Sequence, residues 1–361
     1  MPKLASCLAI AACLLTRTSS RLIAQAPPPG PDMTVDAATR AEVIEGTLRN
    51  LNEYYVYPDL AAKMAAAIRE RQQRHAYDQI TSARALAEAL TAHLLEVGHD
   101  KHLSVRYSAN VLPPQQSPAP PGPEDVERMR GVMAQMNFGF EKVERLAGNI
   151  GYVDLRGFLP PEMMGDTAAA AMSFLSNTDA LIIDLRQNGG GSPDGVALLA
   201  TYLVPPQPVR LNDIYNRVSD QTHQYWSLPY VPGKRFTGKD VYLLTSSRTF
   251  SGAEDFAYAL KNLKRVTIVG EVTGGGAHPV GPRRINDHFV AMVPFGRSIS
   301  VITNTDWEGV GVEPDVKVPA ERALATAHLA ALEKRTATVA DPRMKNEITT
   351  AIERLKKELA P

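Results

Sequence analysis

Three helical stripes follow the first 35 residues of the chain. Over residues 36–97, apolar positions recur every three or four residues. Ile44, Leu48 and Leu51 share one face, Leu60, Met64 and Ile68 repeat it, and Leu86, Leu90, Leu94 and Val97 form a third stripe. Pro58 separates the first two helices, and Thr81-Ser82 supplies a cap for the third. Residues 103–107 then alternate with period two, which predicts a strand. Residues 111–123 are proline-rich and read as a stiff linker or exposed loop.

Beyond Asn149 the period changes. Residues 150–155 predict a strand and 161–175 a helix. Residues 180–185 (ALIIDL) are a continuous apolar run, as in a strand buried on both faces. A glycine loop follows, then a helix from Pro193 to about Leu203. Residues 241–244 predict a buried strand leading into a helix with Ala253, Phe256, Ala257 and Leu260 on one face, and 266–269 predict another. This strand–loop–helix order predicts an α/β fold, a mostly parallel sheet with flanking helices, preceded by a small all-helical N-terminal domain. The tail from Ala320 predicts helix. The division is a leader over 1–26, the helical domain ending in a strand over 36–108, a proline-rich linker over 109–124, a catalytic domain over 125–320 and a helical tail over 321–361.

Composition narrows the classes. The 361 residues carry 39 basic and 39 acidic side chains, so no global field invites nucleic acid, and no apolar stretch is long enough to span a bilayer. Lys3, the apolar run 4–15 and Ala24-Gln25-Ala26 have the pattern of a secretory signal peptide and predict export, periplasmic or secreted. Ile10-Ala11-Ala12-Cys13 is a competing lipoprotein site. Both cysteines, Cys7 and Cys13, fall inside this leader, so cleavage after Ala26 removes any disulfide, Cys nucleophile or Cys metal site.

Candidate chemistry sits at strand ends. Ser251 lies where the strand 241–244 gives way to a helix, whose first N–H groups and positive dipole end suit an oxyanion. Gly252 permits close approach to the backbone, while Ser246 and Ser247 are nearby competitors. The bland alternative for Ser251 is a helix N-cap. Asp184-Leu-Arg-Gln-Asn-Gly-Gly-Gly191 offers successive N–H groups that can cradle an anion, yet it lacks both phosphate-loop and dinucleotide signatures. Of the eight histidines, His102, just before a strand, and His278, in the 273–279 loop, are candidate general bases. A metal on His99 and His102 is disfavoured, since no third ligand presents itself. Glu308, beside Trp307, is the candidate acid that orients a histidine, with Asp306, Glu313 and Asp315 as competitors.

These motifs resemble the tail-specific (C-terminal processing) serine protease superfamily, in the branch of the tricorn protease core and the interphotoreceptor retinoid-binding protein repeats. Residues 151–158, 181–191, 245–256, 270–279 and 307–315 match in family order. The resemblance implies a ClpP/crotonase-like core, acyl-enzyme chemistry and no cofactor or metal. It places the triad at Ser251, His102 and Glu308, with Gly190 and Gly252 as oxyanion donors and Gly191 and His278 as secondary candidates. Where many relatives carry a PDZ domain this chain has its proline-rich segment, so none is expected. No lysine follows the Gly274-Gly275-Gly276 turn, which disfavours the family's serine–lysine dyad. The implied function is an exported serine peptidase acting on short peptides or protein tails. The alternatives are an apolar-ligand (retinoid- or lipid-like) binding module on the same fold, or an esterase. Oligomeric state is not legible.

Overall fold

The computed structural model describes residues 30–114 and 122–360. The leader, both cysteines and the middle of the proline-rich run lie outside the described residues. Asp32–Pro361 forms one unit, to which everything below refers.

The first stretch is α1 (Ala37–Tyr54), α2 (Pro58–Gln73), α3 (Ala83–Gly98) and β1 (Ser104–Tyr107). After the proline-rich run come α4 (Pro123–Ala134), β2 (Phe140–Leu146), β3 (Ile150–Leu155), α5 (Pro161–Leu175), β4 (Ala180–Asp184) and α6 (Pro193–Thr201). A hairpin, β5 (Arg210–Asn216) and β6 (Gln221–Trp226), precedes β7 (Asp240–Thr245), α7 (Gly252–Asn262) and β8 (Thr267–Gly270). The chain ends with β9 (Val280–Arg284), β10 (Phe289–Pro294), β11 (Gly296–Ile299), β12 (Val316–Lys317), α8 (Ala320–Thr336) and α9 (Pro342–Glu358). The cap predicted for α3 is present, since the Ser82 side chain accepts from Ala85 N–H at 3.0 Å.

The central sheet runs β12-β8-β7-β4-β3-β2, parallel throughout except for the edge pair β2/β3. Every residue of β4 is buried, because both faces of the sheet are covered. Leu181 and Ile183 point into a core built with α5, α6 and α7, where Met164, Leu199, Phe256 and Leu260 pack. Ala180 and Ile182 point the other way, against Ala323, Ala327, Leu332, Ile348 and Leu355 of α8 and α9. The segment set apart above as a helical tail is therefore one of the two helical layers on the sheet.

The proposed boundary at 108 also crosses packed structure. Strand β1 pairs with β10 in a second sheet, β1-β10-β9, and Phe289, Ala291 and Val293 of β10 complete the core of α1, α2 and α3. Arg217 reaches back as well, donating to the backbone carbonyls of Asn52 and Tyr55. The third sheet, β11-β5-β6, stands over α7. Loops 185–192 and 246–251 leave the carboxyl ends of the adjacent strands β4 and β7, the edge of a parallel sheet where ligands bind.

Leu332 is fully buried between α8 and the sheet. Leu332→Ala is expected to lower the free energy of unfolding by about 2–5 kcal/mol in a urea titration, the range for deleting a packed aliphatic side chain. A loss under about 0.5 kcal/mol would mean that α8 is not part of the cooperative unit.

Candidate active site

Strand β7 ends, the chain turns sharply, and α7 begins at Gly252 with Ser251 as N-cap. Ser251 has φ 55° and ψ −122°, a conformation that an L residue adopts only at a cost of about 1–3 kcal/mol. A sharp, strained strand-to-helix turn of this kind lifts a serine hydroxyl clear of the sheet edge. The strain is held by Glu254. Its fully buried carboxylate accepts Ser251 N–H at 2.9 Å, Gly275 N–H at 2.7 Å, Gly276 N–H at 2.8 Å and the Thr273 hydroxyl. Burial pushes the Glu254 carboxyl above the usual carboxylate range, and these donors pull it back only part of the way. Sequence reasoning did not single out Glu254, although Ser251-Gly-Ala-Glu254 has the spacing of a capping box.

The glycine loop passes directly under this turn. A Cβ on Gly190 would lie 2.6 Å from Gly252 N and 2.8 Å from the Ser251 Cβ, and one on Gly191 would lie 1.9 Å from the Phe158 carbonyl oxygen. Both residues also have positive φ, so glycine is required twice over. Asn188, fully buried, staples the loop by donating to Leu155 O at 3.0 Å and accepting Gly190 N–H at 2.8 Å. That bond corrects one expectation, because the Gly190 N–H is already spent and is not free for an oxyanion. The Gly191 nitrogen lies 3.0 Å from the position of a Gly252 Cβ and takes no part in the bridge that joins Phe158 to this loop. Asp184 and Arg186 of the same motif are structural: they pair at 2.6 Å, and Arg186 also donates to Ala320 O.

His102 comes from the turn between α3 and β1. The backbone N–H of His102 donates to Asp100 Oδ1 at 3.0 Å, and its ring stacks on Phe250 with centroids 4.5 Å apart, beside Ser251. Lys101 bonds Gly274 O at 2.6 Å, tying this turn to the 273–276 loop. His102 Nδ1 is buried without a partner. Burial drives its pKa down to about 4, the nearby Asp100 opposing the shift and His278 adding to it.

Glu308 is held elsewhere. Its Oε2 accepts Ala277 N–H and lies 3.6 Å from His278 Nδ1, whereas its Oε1 is buried with no partner. Burial raises its pKa to about 7, and the nearby His278 opposes that rise. His278 is itself buried and bonds Asp100 Oδ2 at 2.7 Å, which also accepts the Tyr55 hydroxyl at 3.2 Å. Burial acts to lower the His278 pKa, but Asp100 and then Glu308 outweigh it and leave it raised. Ser251, His102 and His278 thus line one cleft of about 650 Å³, while Glu308 stands beside His278 and makes no hydrogen bond to His102.

The competitors have other employment. Ser246 Oγ donates to Arg186 O at 2.6 Å and accepts Arg248 N–H. Asp306 caps the turn at Glu308 N–H, and Asp315 accepts Ile268 N–H. His99 is an exposed C-cap of α3 with φ 53°. Among the described residues, Asp100, His278 and Glu308 bring ligand atoms within 4.8 Å of one another, the one group with a metal-like donor set. Tyr55, Ala277 and the His278–Asp100 bond account for three of its contacts as ordinary hydrogen bonds.

Glu254→Gln offers one good acceptor where four donors converge. The variant is expected to lose about 2 kcal/mol or more of unfolding free energy, since buried donors left unpaired cost about 1–3 kcal/mol each. Chemical denaturation measures this, and an unchanged midpoint would show that the carboxylate does not hold the turn.

Two sequence families match. Peptidase family S41 matches residues 149–318, and the N-terminal domain of Peptidase_S41 in eukaryotic IRBP matches residues 36–142. A tail-specific protease of Haemophilus influenzae is 32% identical over 114 residues, 30% of this chain and 15% of that protein. Carboxyl-terminal-processing peptidase 2, chloroplastic, of Arabidopsis thaliana is 27% identical over 179 residues, 47% of this chain and 32% of that one. The chain thus spans under a third of the length of either relative. Among solved structures, a photosystem II D1 C-terminal processing protease shares the fold with TM-score 0.50 at 16% identity, covering 78% of this chain and 94% of its own. The two matches together take in the helical domain, the glycine loop and the Ser251 turn, and the chain belongs to peptidase family S41.

Proposed function

We propose that the chain is a serine peptidase that cleaves peptides or protein tails through an acyl-enzyme, with Ser251 as nucleophile and His102 as general base. The carrying observation is the strained Ser251 at the N-terminus of α7, facing a cleft that His102 also lines. Ser251 Oγ attacks the amide carbonyl and its proton passes to His102, which returns it to the leaving amine; water then releases the acyl group. Gly252 and Gly191 N–H receive the oxyanion, each donor contributing about 3–4 kcal/mol by analogy with measured oxyanion holes. Support for Gly191 over Gly190 is the Asn188 side chain, which occupies the Gly190 N–H.

Glu308 completes the unit by turning its Oε1 to His102 Nδ1. Both atoms are buried and unpartnered, and each offers what the other needs, an acceptor and a donor. The cleft sets polar groups, among them Asn216, Gln221 and His223, into largely apolar walls that include Ile214, Phe250 and Phe295, a lining that offers a peptide both backbone partners and side-chain contacts. The pattern of residues 1–26 supports export, and among the described residues no helix is long and apolar enough to cross a membrane.

Three outcomes are expected. A fluorophosphonate probe should modify Ser251, identified by peptide mass spectrometry, and Ser251→Ala should abolish both labelling and peptide hydrolysis; modification of Ser246 or Ser247 would contradict the assignment. Activity needs His102 neutral, satisfied above about pH 4, and Glu308 ionised, satisfied only above about pH 7. The later ionisation governs, so kcat/KM should rise through about pH 7, and in Glu308→Gln a lower rate should rise at more acid pH. An acid limb that stays in place in Glu308→Gln would remove Glu308 from the unit. The secreted protein should begin near Pro27, and an intact Met1 would overturn export by this leader.

A further inference from the structure

One buried carboxylate in the cleft has no task in the chemistry above. Asp255 lies four residues after Ser251, one turn further along α7 and on the same face. It is 6% exposed, and the little surface it keeps belongs to the cleft wall. Among the described residues no lysine, arginine or histidine forms an ion pair with it. Burial raises its pKa to about 7, and the only counterweight is Asn212. Asn212, on β5, is 2% exposed, and its Oδ1 and Nδ2 make no hydrogen bond of normal geometry. Tyr225 of β6 lines the same wall, and the charges of Asp194 and Asp255 both bear on its hydroxyl.

Asp255 thus borders the cleft beside Ser251 with only a neutral amide, Asn212, set against its charge, and the site lacks an opposite charge. Burying an unpaired carboxylate is costly, and a ligand that brings the missing opposite charge recovers that cost on binding. A cation bound there would lie in the negative field of Asp255 and Asp194 and donate to the Asp255 carboxylate. A charge at the base of a pocket next to a nucleophilic serine selects the side chain adjoining the scissile bond.

We propose that Asp255, backed by the buried amide of Asn212, forms the specificity subsite of the cleft and takes a cationic group of the substrate, an ammonium or guanidinium, on the acyl side of the bond that Ser251 attacks. The proposal rests on the peptidase reading for its placement, but binding can be measured without turnover.

The test has two arms. In the first, full-length Ser251→Ala protein is titrated with 4-aminobenzamidine, a fluorescent cation, and with the neutral 4-aminobenzamide. The amidine should bind with saturation and the amide should not, and adding Asp255→Asn should weaken amidine binding by about 10- to 100-fold, as expected for a charge-assisted hydrogen bond. In the second, wild-type protein is given N-acetylated peptide amides that differ only in lysine or norleucine before the cleaved bond, and norleucine peptides with a free N-terminus. Lysine should be preferred by a similar factor. A preference confined to free N-termini would identify the α-ammonium as the cation, and equal rates on all three would overturn the subsite. Should Asp255→Asn fail to fold, the wild-type lysine-to-norleucine ratio and the amidine titration still decide. Amidine binding without any hydrolysis or probe labelling would remove the peptidase reading and leave a cation site. Absence of amidine binding with active turnover would do the reverse.

Discussion

The buried carboxylate of Glu254 is the constraint on which the site depends. A serine at φ 55° does not hold that conformation unaided, and the 273–276 loop has no regular structure to fix it. Glu254 solves both problems by accepting Ser251 N–H with one oxygen and the loop's Thr273 and Gly275 with the other, Gly276 sharing the first. Thr273 extends the network by accepting Val312 N–H at 2.7 Å, and Trp307 donates to Gly276 O at 2.8 Å. The Ser251 turn, the glycine-rich loop and the 307–312 turn thereby form one hydrogen-bonded body. Its position at the N-terminal end of α7 also sets the helix dipole against the negative charge of Glu254.

The second constraint is electrostatic. His102 and His278 share one cleft but are shifted in opposite directions, burial prevailing at one and Asp100 at the other. His102 has lost water and gained no acceptor, so it stays neutral to about pH 4. His278 has Asp100 at 2.7 Å and Glu308 at 3.6 Å and favours its charged form. A base must be neutral to take a proton, which is why the proposed mechanism uses His102 and leaves His278 to hold Asp100 and Glu308 in place. Asp100 bridges the pair, since one oxygen accepts His102 N–H and the other faces His278. Separating two titratable neighbours in this way is a recurrent means of assigning different roles to like groups.

Much of this fold was legible because its strands carry strong patterns. The runs 150–155, 180–185 and 241–244 are apolar on both faces, and the structure buries them on both. Strand β10 escaped although Phe289, Ala291 and Val293 alternate on its buried face, but several other missed elements lack such contrast. Strand β6 is exposed or half-buried at every position, β9 likewise, and α4 buries none of its residues, so no period stands out. The tail was legible as helix but not as a layer, because only Ile348, Ala351 and Leu355 of α9 are buried. At the site, Ser251 and His102 stand out in the sequence by their places at element ends and His278 by its glycine-rich loop, and all three line one cleft. The choice between Gly190 and Gly191 was not legible, since it turns on where the Asn188 side chain lies. Nor were the remote partners of Glu254 or the isolation of Asp255, because both depend on residues distant in sequence: 273–276 for one and Asn212 for the other.

The turn held by Glu254, the Gly191 N–H, which donates to no acceptor among the described residues, and the neutral His102 must coincide around the Ser251 oxygen. A crystal structure of the protein carrying a fluorophosphonate-derived adduct measures that geometry directly. The account predicts phosphorus on Ser251 Oγ, its phosphoryl oxygen within hydrogen-bond distance of the Gly252 and Gly191 nitrogens, and Glu254 still bonded to Ser251 N–H. An adduct whose phosphoryl oxygen turns away from both nitrogens, or phosphorus on another residue, would contradict it.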